Sequence, residues 1–451
     1  MHIARRWLHS LYLTLLLTAL TPLPSAAQSA PVAPVASQAA AQPATQANSQ
    51  AYSLPPDKLA KAITFNRILN ILDILGGLWG LAVLWLLLST RAAAGLEAWM
   101  QRLMRRRWLQ GLLFFAVLIA LLGAADLPLN LLGHLASLHY GISVQGWSGW
   151  VADHAKALGV ALAGAPVLLL FNWMVRIAPR RYWRWIWVAT VPLMVLTVFG
   201  EPLLEPIFDK FEPLTQNHPV LVAELEKVVA RTGTHIPPDR MFLMQASAKS
   251  SGLNAYVSGL GATKRIVVWD TTAGRIPDDE ILFIFGHESG HYVLSHIPKM
   301  LTGLAIALFF VFWACARFAA GLARRHGDRW GLNVQEDGTA ALATRAGFVV
   351  LLFAVSVAAF LLEPAGNAFS RHFEHEADVY GQEAIHGLVP DPQKTAVSAF
   401  NHLGEAWLED PNPSPLIEFW LYNHPSVKNR ANFAAHYDPW ANGGHGEFFD
   451  K

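Results

Sequence analysis

Six long apolar runs punctuate the chain, at about 69–89, 109–125, 157–175, 185–200, 301–322 and 346–362. Each comes close to the ~20 residues that an α-helix needs to cross the hydrocarbon core of a bilayer. Buried core helices imitate one or two such runs, but six wholly apolar helices would need an implausibly large soluble core. Between the fourth and fifth runs the pattern changes. Val220–Arg231 has the spacing of an amphipathic helix, with Val220, Val222, Leu225, Val228 and Val229 apolar. Met241–Met244, Ala255–Ser258 and Arg265–Trp269 read as short strands, with a turn at Gly259–Gly261. The expected fold is mainly α: a polytopic α-helical membrane protein of about six transmembrane helices with a small inserted α+β domain.

Composition supports this. Of 451 residues, 53% are hydrophobic and 15% charged, with 17 Trp, a balance that belongs to a membrane protein. The net charge of +1 indicates no nucleic-acid partner. The single Cys315 lies in an apolar run and can form neither an internal disulfide nor a thiolate metal site. Near the N-terminus, Arg5 and Arg6 precede a short apolar core, Leu8 to Leu20, and then Ser25-Ala26-Ala27. This is the pattern of an export signal cleaved after Ala27, the alternative being an uncleaved anchor. The organisation expected is a signal peptide (1–27), a disordered linker (28–55), helices one to four (56–200), a polar domain (201–300), helices five and six (301–365) and a C-terminal part (366–451).

Arginines set the orientation. Arg91, Arg102, Arg105, Arg106 and Arg107 lie between the first two runs. Arg176, Arg180, Arg181 and Arg184 follow the third, and Arg317, Arg324, Arg325, Arg329 and Arg345 surround the loop between the last two. The positive-inside rule makes these loops cytoplasmic, which puts 201–300 and the C-terminal part on the periplasmic or extracytoplasmic face of the cell membrane.

The chemistry is concentrated in Phe285-Gly-His287-Glu288-Ser-Gly-His291. Residues four apart share a helical face, so both imidazoles can reach one ion. Glu288, about 100° round the axis, can reach a water on that ion without ligating it. This is the spacing of a zinc hydrolase, the ion acidifying water and the glutamate taking its proton. Such a site needs a third protein ligand and an open position. Position 297 is Ile, so a His six residues past His291 is absent, and His296, five residues past it, falls on the wrong side of the helix. The better candidate lies in Asn367-Ala-Phe-Ser-Arg371-His-Phe-Glu374-His-Glu-Ala-Asp378. There Glu374 and Asp378 share a face, suiting one carboxylate on the metal and one orienting a ligand histidine. His375 and Glu376 are rivals that point away from that face. The metal segments flank the last two runs, so an even number of crossings lets them share one ion.

Four segments together resemble the integral-membrane zinc endopeptidases that include the type I CAAX prenyl proteases. They are the two just given, Leu253-Asn254-Ala-Tyr-Val-Ser-Gly259, and Asn423-His424-Pro-Ser-Val-Lys-Asn-Arg430. A fifth, Pro206-Ile-Phe-Asp-Lys-Phe211-Glu-Pro213-Leu214, resembles the family segment before the metal domain. The resemblance implies one Zn²⁺ held by His287, His291 and Glu374, with Glu288 as general base. It also implies His424 facing the scissile carbonyl, Asp378 supporting a ligand, Asn254 along the substrate, and Arg371 and Arg430 bracing or binding at the site. The expected partners are a peptide or protein substrate and the lipid bilayer. The alternatives are a membrane-protein quality-control protease with the same chemistry, and a non-catalytic zinc-binding transporter or scaffold.

Overall fold

The computed structural model describes residues 52–334 and 338–449. The expected signal, and all but the last four residues of the expected linker, lie outside them. Those four are anchored. Tyr52 and Leu54 are buried, and the Tyr52 hydroxyl donates to the Glu409 carbonyl at 3.1 Å.

Among the described residues, six segments are long and apolar enough to cross a membrane, as the hydrophobic runs predict. They comprise α1 (Pro56–Ser89), α3 (Arg107–His139), the pair α4 (Trp147–Leu162) and α5 (Ala165–Ile177), α6 (Tyr182–Phe208), α9 (His296–His326) and α10 (Arg345–Ala384). The short α2 (Ala92–Leu103) links α1 to α3. The third crossing is broken between α4 and α5 because Gly164 and Pro166 interrupt it, Pro166 having no amide hydrogen to continue the ladder. The helix α6 runs beyond residue 200 to Phe208, carrying Pro192, Pro202 and Pro206 inside it. Large apolar side chains such as Leu203, Phe310 and Leu196 point outward, which suits lipid and not water.

The helix α10 is central. It packs against α1, α2 and α9 and then continues past the membrane run into the polar domain. Its start is fixed twice. Thr344 Oγ1 accepts from the Gly347 amide at 2.9 Å, and Glu97 Oε2 from the Ala346 amide at 2.9 Å. The same Glu97 pairs with the buried Arg345 at 3.2 Å.

The polar domain is built on a four-stranded sheet of order β1 (Phe211–Pro213), β2 (Met241–Met244), β4 (Arg265–Trp269), β3 (Ala255–Ser258). The β2–β4 pair is parallel and the others antiparallel. All three expected strands form where their β-branched and aromatic residues place them; β1, with Pro213 at its end, was too short to read. Helix α7 (Pro219–Thr232) and α8 (Asp278–Val293) pack against each other and share the sheet's core with α11 (Pro392–Ala406) and α13 (Val427–His436). A short α12 (Pro415–Leu421) lies against α10.

Candidate active site

The helix α8 carries the His-Glu-x-x-His run. Asp278, Asp279 and Glu280 occupy its first turn, where the helix dipole favours negative charge. Residues Ile281 to Phe285 are buried all round, so α8 is a core helix whose polar groups must find partners. Buried Glu280 accepts from Ser398 Oγ at 2.6 Å and pairs with His402 Nδ1 at 2.7 Å.

Glycine sets how closely α8 meets α10. A methyl group added at Gly381 would lie 2.7 Å from the His287 amide nitrogen, and one at Gly286 would lie 3.1 Å from the Gly381 carbonyl oxygen. The helices therefore touch backbone to backbone. Glu374 lies two turns before Gly381 on the same face of α10, so this contact delivers its carboxylate to the histidines.

That arrangement joins the three residues expected to share an ion. The ligand atoms of His287, His291 and Glu374 lie within 4.8 Å of one another. His287 Nε2 and His291 Nε2 are 3.3 Å apart. Glu374 Oε2 is 3.4 Å from His287 Nε2, and its Oε1 is 3.6 Å from His291 Nε2. Glu374 is 4% exposed, yet its Oε2 receives no aligned hydrogen bond among the described residues. Two imidazole nitrogens converging with a buried carboxylate form a donor set that fits a cation.

A second layer fixes these groups. Asp378 Oδ1 is 2.9 Å from His287 Nδ1, and the Asp378 carboxylate takes two hydrogen bonds from Arg430, at 2.6 and 2.9 Å. Arg430 is buried and stacks over the Phe400 ring at 4.6 Å. Burial alone would lower the pKa of His287, but its hydrogen bonds to Asp378 and Glu374 outweigh this and hold it at about 9. Burial drives His291 down to about 3.

Glu288 stands beside the triad, next to the strand β3. The Val257 amide donates to its carboxylate, while burial, with Glu374 adding repulsion, lifts its pKa to about 7. Tyr292, one turn along α8, donates to the carbonyls of Gly259 at 2.9 Å and Val257 at 3.3 Å, tying the end of β3 to the helix. Gly259 is required there. Its φ is +84°, and a methyl group would lie 2.3 Å from the Thr263 carbonyl oxygen. Among the described residues β3 is an edge strand, paired with β4 alone. A cavity opens from Glu288, His291 and Glu374 between the membrane helices, walled by Val198, Met300, Leu304 and Phe373.

The remaining expected residues are placed as follows. His424 Nε2 is 3.1 Å from Glu374 Oε2, so His424 reaches the triad. Asn254, just before β3, is 1% exposed, and neither of its amide side-chain atoms has a partner among the described residues. Arg371 donates to the carbonyls of Glu418, at 3.0 Å, and Tyr422, and Asn367 donates to that of Trp420 at 2.5 Å. Together they clamp the segment leading to His424. Of the rival ligands, His375 rests against the Phe433 ring and Glu376 lies 2.9 Å from His296. His296 stands outside the triad, as the sequence reading has it, yet it lies close behind His291. Ser295 adopts φ +58°, which ends α8, and His296 opens α9 with its Nδ1 3.1 Å from His291 Nδ1. A continuing helix would have turned it away; the left-handed residue brings it back.

Comparison with known proteins agrees with this geometry. Residues 215–438 match peptidase family M48, and residues 38–210 match the CAAX prenyl protease N-terminal domain, described as five membrane helices. The chain is 30% identical over 394 residues to the uncharacterized metalloprotease YhfN of Bacillus subtilis, covering 86% of this chain and 88% of that one. It is 27% identical to CAAX prenyl protease 1 of Saccharomyces cerevisiae, over 71% of each chain. The crystal structure of S. mikatae Ste24p has the same fold, with a TM-score of 0.72 at 22% identity, covering 96% of this chain and 98% of that one. The chain therefore belongs to peptidase family M48 and is a multi-pass membrane metalloprotease.

Proposed function

We propose that one zinc ion, held by His287, His291 and Glu374, serves an endopeptidase that cleaves peptide or protein substrates presented at the membrane surface. The supporting observation is the buried, convergent triad with Glu288 beside it. Two nitrogens and one carboxylate are the hydrolytic donor set for zinc, leaving a position open. Bound there, zinc supplies a Lewis acid that acidifies water and polarises the scissile carbonyl.

The protein's own groups do the rest. Glu288 takes the proton from the attacking water and returns it to the leaving amine. A pKa near 7 suits that exchange near neutral pH. His424 donates an N–H to the carbonyl oxygen as its negative charge grows. Asp378, itself held by Arg430, fixes the ring of His287. Arg371 holds the chain that carries His424. Both arginines are turned into the protein, so they brace the site and leave substrate contact to β3 and Asn254. An extended substrate adds along the edge of β3 by main-chain hydrogen bonds, and the buried Asn254 amide supplies a polar anchor. The apolar wall of the cavity favours substrates with large hydrophobic residues near the cleaved bond.

The domain limits follow from this use of the chain: 201–300 and 366–451 form one catalytic unit around helices five and six. The Arg-rich loops support an extracytoplasmic position for that unit at the cell membrane. A single cysteine at exposed Leu416, in a Cys315→Ser background, would then react with an impermeant maleimide in intact cells. Labelling only after lysis reverses the orientation.

The proposal is tested with the purified full-length protein in detergent micelles and an internally quenched peptide. A chelator abolishes cleavage and added zinc restores it. Cleavage that survives complete metal removal excludes the mechanism.

A further inference from the structure

Resting on the zinc-site reading above, we infer that His296, with Glu376 behind it, is a positioning residue for the ligand His291. The sequence pattern gave His296 no role. The fold puts it at the first position of α9, wholly buried, because Ser295 turns the chain back in the left-handed region. Its Nδ1 lies 3.1 Å from His291 Nδ1, the ring nitrogen facing away from the triad. Its other nitrogen, Nε2, lies 2.9 Å from Glu376 Oε2, off the N–H axis. The rings of His291 and His296 meet edge to face, with centroids 5.1 Å apart, and Phe373 covers His296 at 4.6 Å.

These contacts assign the protons. When His291 gives its Nε2 lone pair to a metal, its Nδ1 carries hydrogen and donates to the Nδ1 lone pair of His296. The hydrogen of His296 is then on Nε2, directed to the Glu376 side. Ligand histidines are oriented by such outer partners. His287 has Asp378 on its far nitrogen; His291 has His296. The two relays differ in kind. Asp378 is buried and charged, whereas His296 is a neutral acceptor whose carboxylate partner, Glu376, is about a third exposed and is also approached by the exposed His372 at 3.6 Å. Because Glu374 and Glu376 both belong to α10, one helix supplies a metal ligand and the end of this relay.

The test is zinc affinity, by chelator competition, and the ligand-field spectrum of the cobalt-substituted full-length protein in micelles. His296→Leu keeps the bulk and removes the acceptor; His296→Asn returns an acceptor oxygen near the Nδ1 position. We expect leucine to weaken zinc binding about 10- to 100-fold and to alter the cobalt spectrum, and asparagine to recover most of the loss. A role in folding alone would not distinguish the two by spectrum. Zinc affinity unchanged in His296→Leu, or asparagine no better than leucine, overturns the assignment. If the leucine variant does not fold, Glu376→Gln carries the test: weaker zinc binding supports the relay and unchanged binding overturns it. His291→Ala is the control. Loss of zinc there confirms the ligand, and retained zinc would sink the ligand set along with the relay.

Discussion

Asp378 sits between His287 and Arg430, its Oδ1 2.9 Å from the histidine Nδ1 and 2.6 Å from the guanidinium. The carboxylate is thus shared between a proposed metal ligand and a buried charge. Asp378→Asn keeps the shape and loses the charge, and should weaken zinc affinity about 10- to 100-fold. Asp378→Ala strips buried Arg430 of its hydrogen-bonded carboxylate and leaves only Glu374 at 4.0 Å, which costs up to about 3–5 kcal/mol of stability. Metal competition titration combined with thermal melting separates the two effects.

In the proposed mechanism Glu288 and His424 act at different moments. Glu288→Gln should retain zinc and lose about 100- to 10,000-fold in kcat. His424→Ala should lose about 100- to 1,000-fold, mainly in kcat, because its donor matters most when the oxyanion forms. Steady-state kinetics with metal analysis of each variant checks both. A Glu288→Gln enzyme as fast as the parent would remove the general base from the account.

Gly381 carries the helix crossing that brings Glu374 to the histidines. Gly381→Ala forces the helices apart at the His287 backbone, at an overpacking cost of about 1–3 kcal/mol, and should reduce zinc content and peptidase rate together. Gly366→Ala is the control on the same helix, where an added methyl group meets nothing within 4 Å. Equal behaviour of the two variants would show that the close approach is unimportant.

The pairing of His402 with buried Glu280 ties α11 to the first turn of α8. The hydrogen bond to Glu280 raises the pKa of His402 above its ordinary value. A raised folded-state pKa means stability that is full below the unfolded value of about 6.5 and is lost as pH rises through the folded value. His402→Gln should therefore lower the melting temperature more at pH 6 than at pH 9. A larger deficit at pH 9 would mean that the pair is not ionic.

Much of this was legible in the chain. Helical geometry is periodic, so His287 and His291 declare a shared face, and Glu374 with Asp378 declares another. Apolar run lengths point to the six long apolar segments found among the described residues. What stayed hidden depends on single backbone conformations and on contacts far apart in sequence. Ser295 in the left-handed region reverses the meaning of His296, and no periodicity signals that. Gly381 looks like any helical glycine until α8 lies against it. The resemblance gives Arg371 and Arg430 a bracing or binding role without naming their partners, which are the Glu418 and Tyr422 carbonyls and Asp378, all distant in sequence. Val257, which donates to Glu288, contributes only a backbone amide, so its residue type carries no sign of it.

The central claim is that Glu374, from α10, completes one metal site with two histidines of α8. Zinc stoichiometry of purified Glu374→Ala, measured by inductively coupled plasma mass spectrometry alongside peptide cleavage, tests this most directly. The account predicts one zinc per chain in the parent, and in the variant a loss of tightly held zinc with no detectable turnover. A variant that keeps one equivalent of zinc and cleaves at the parental rate would contradict it.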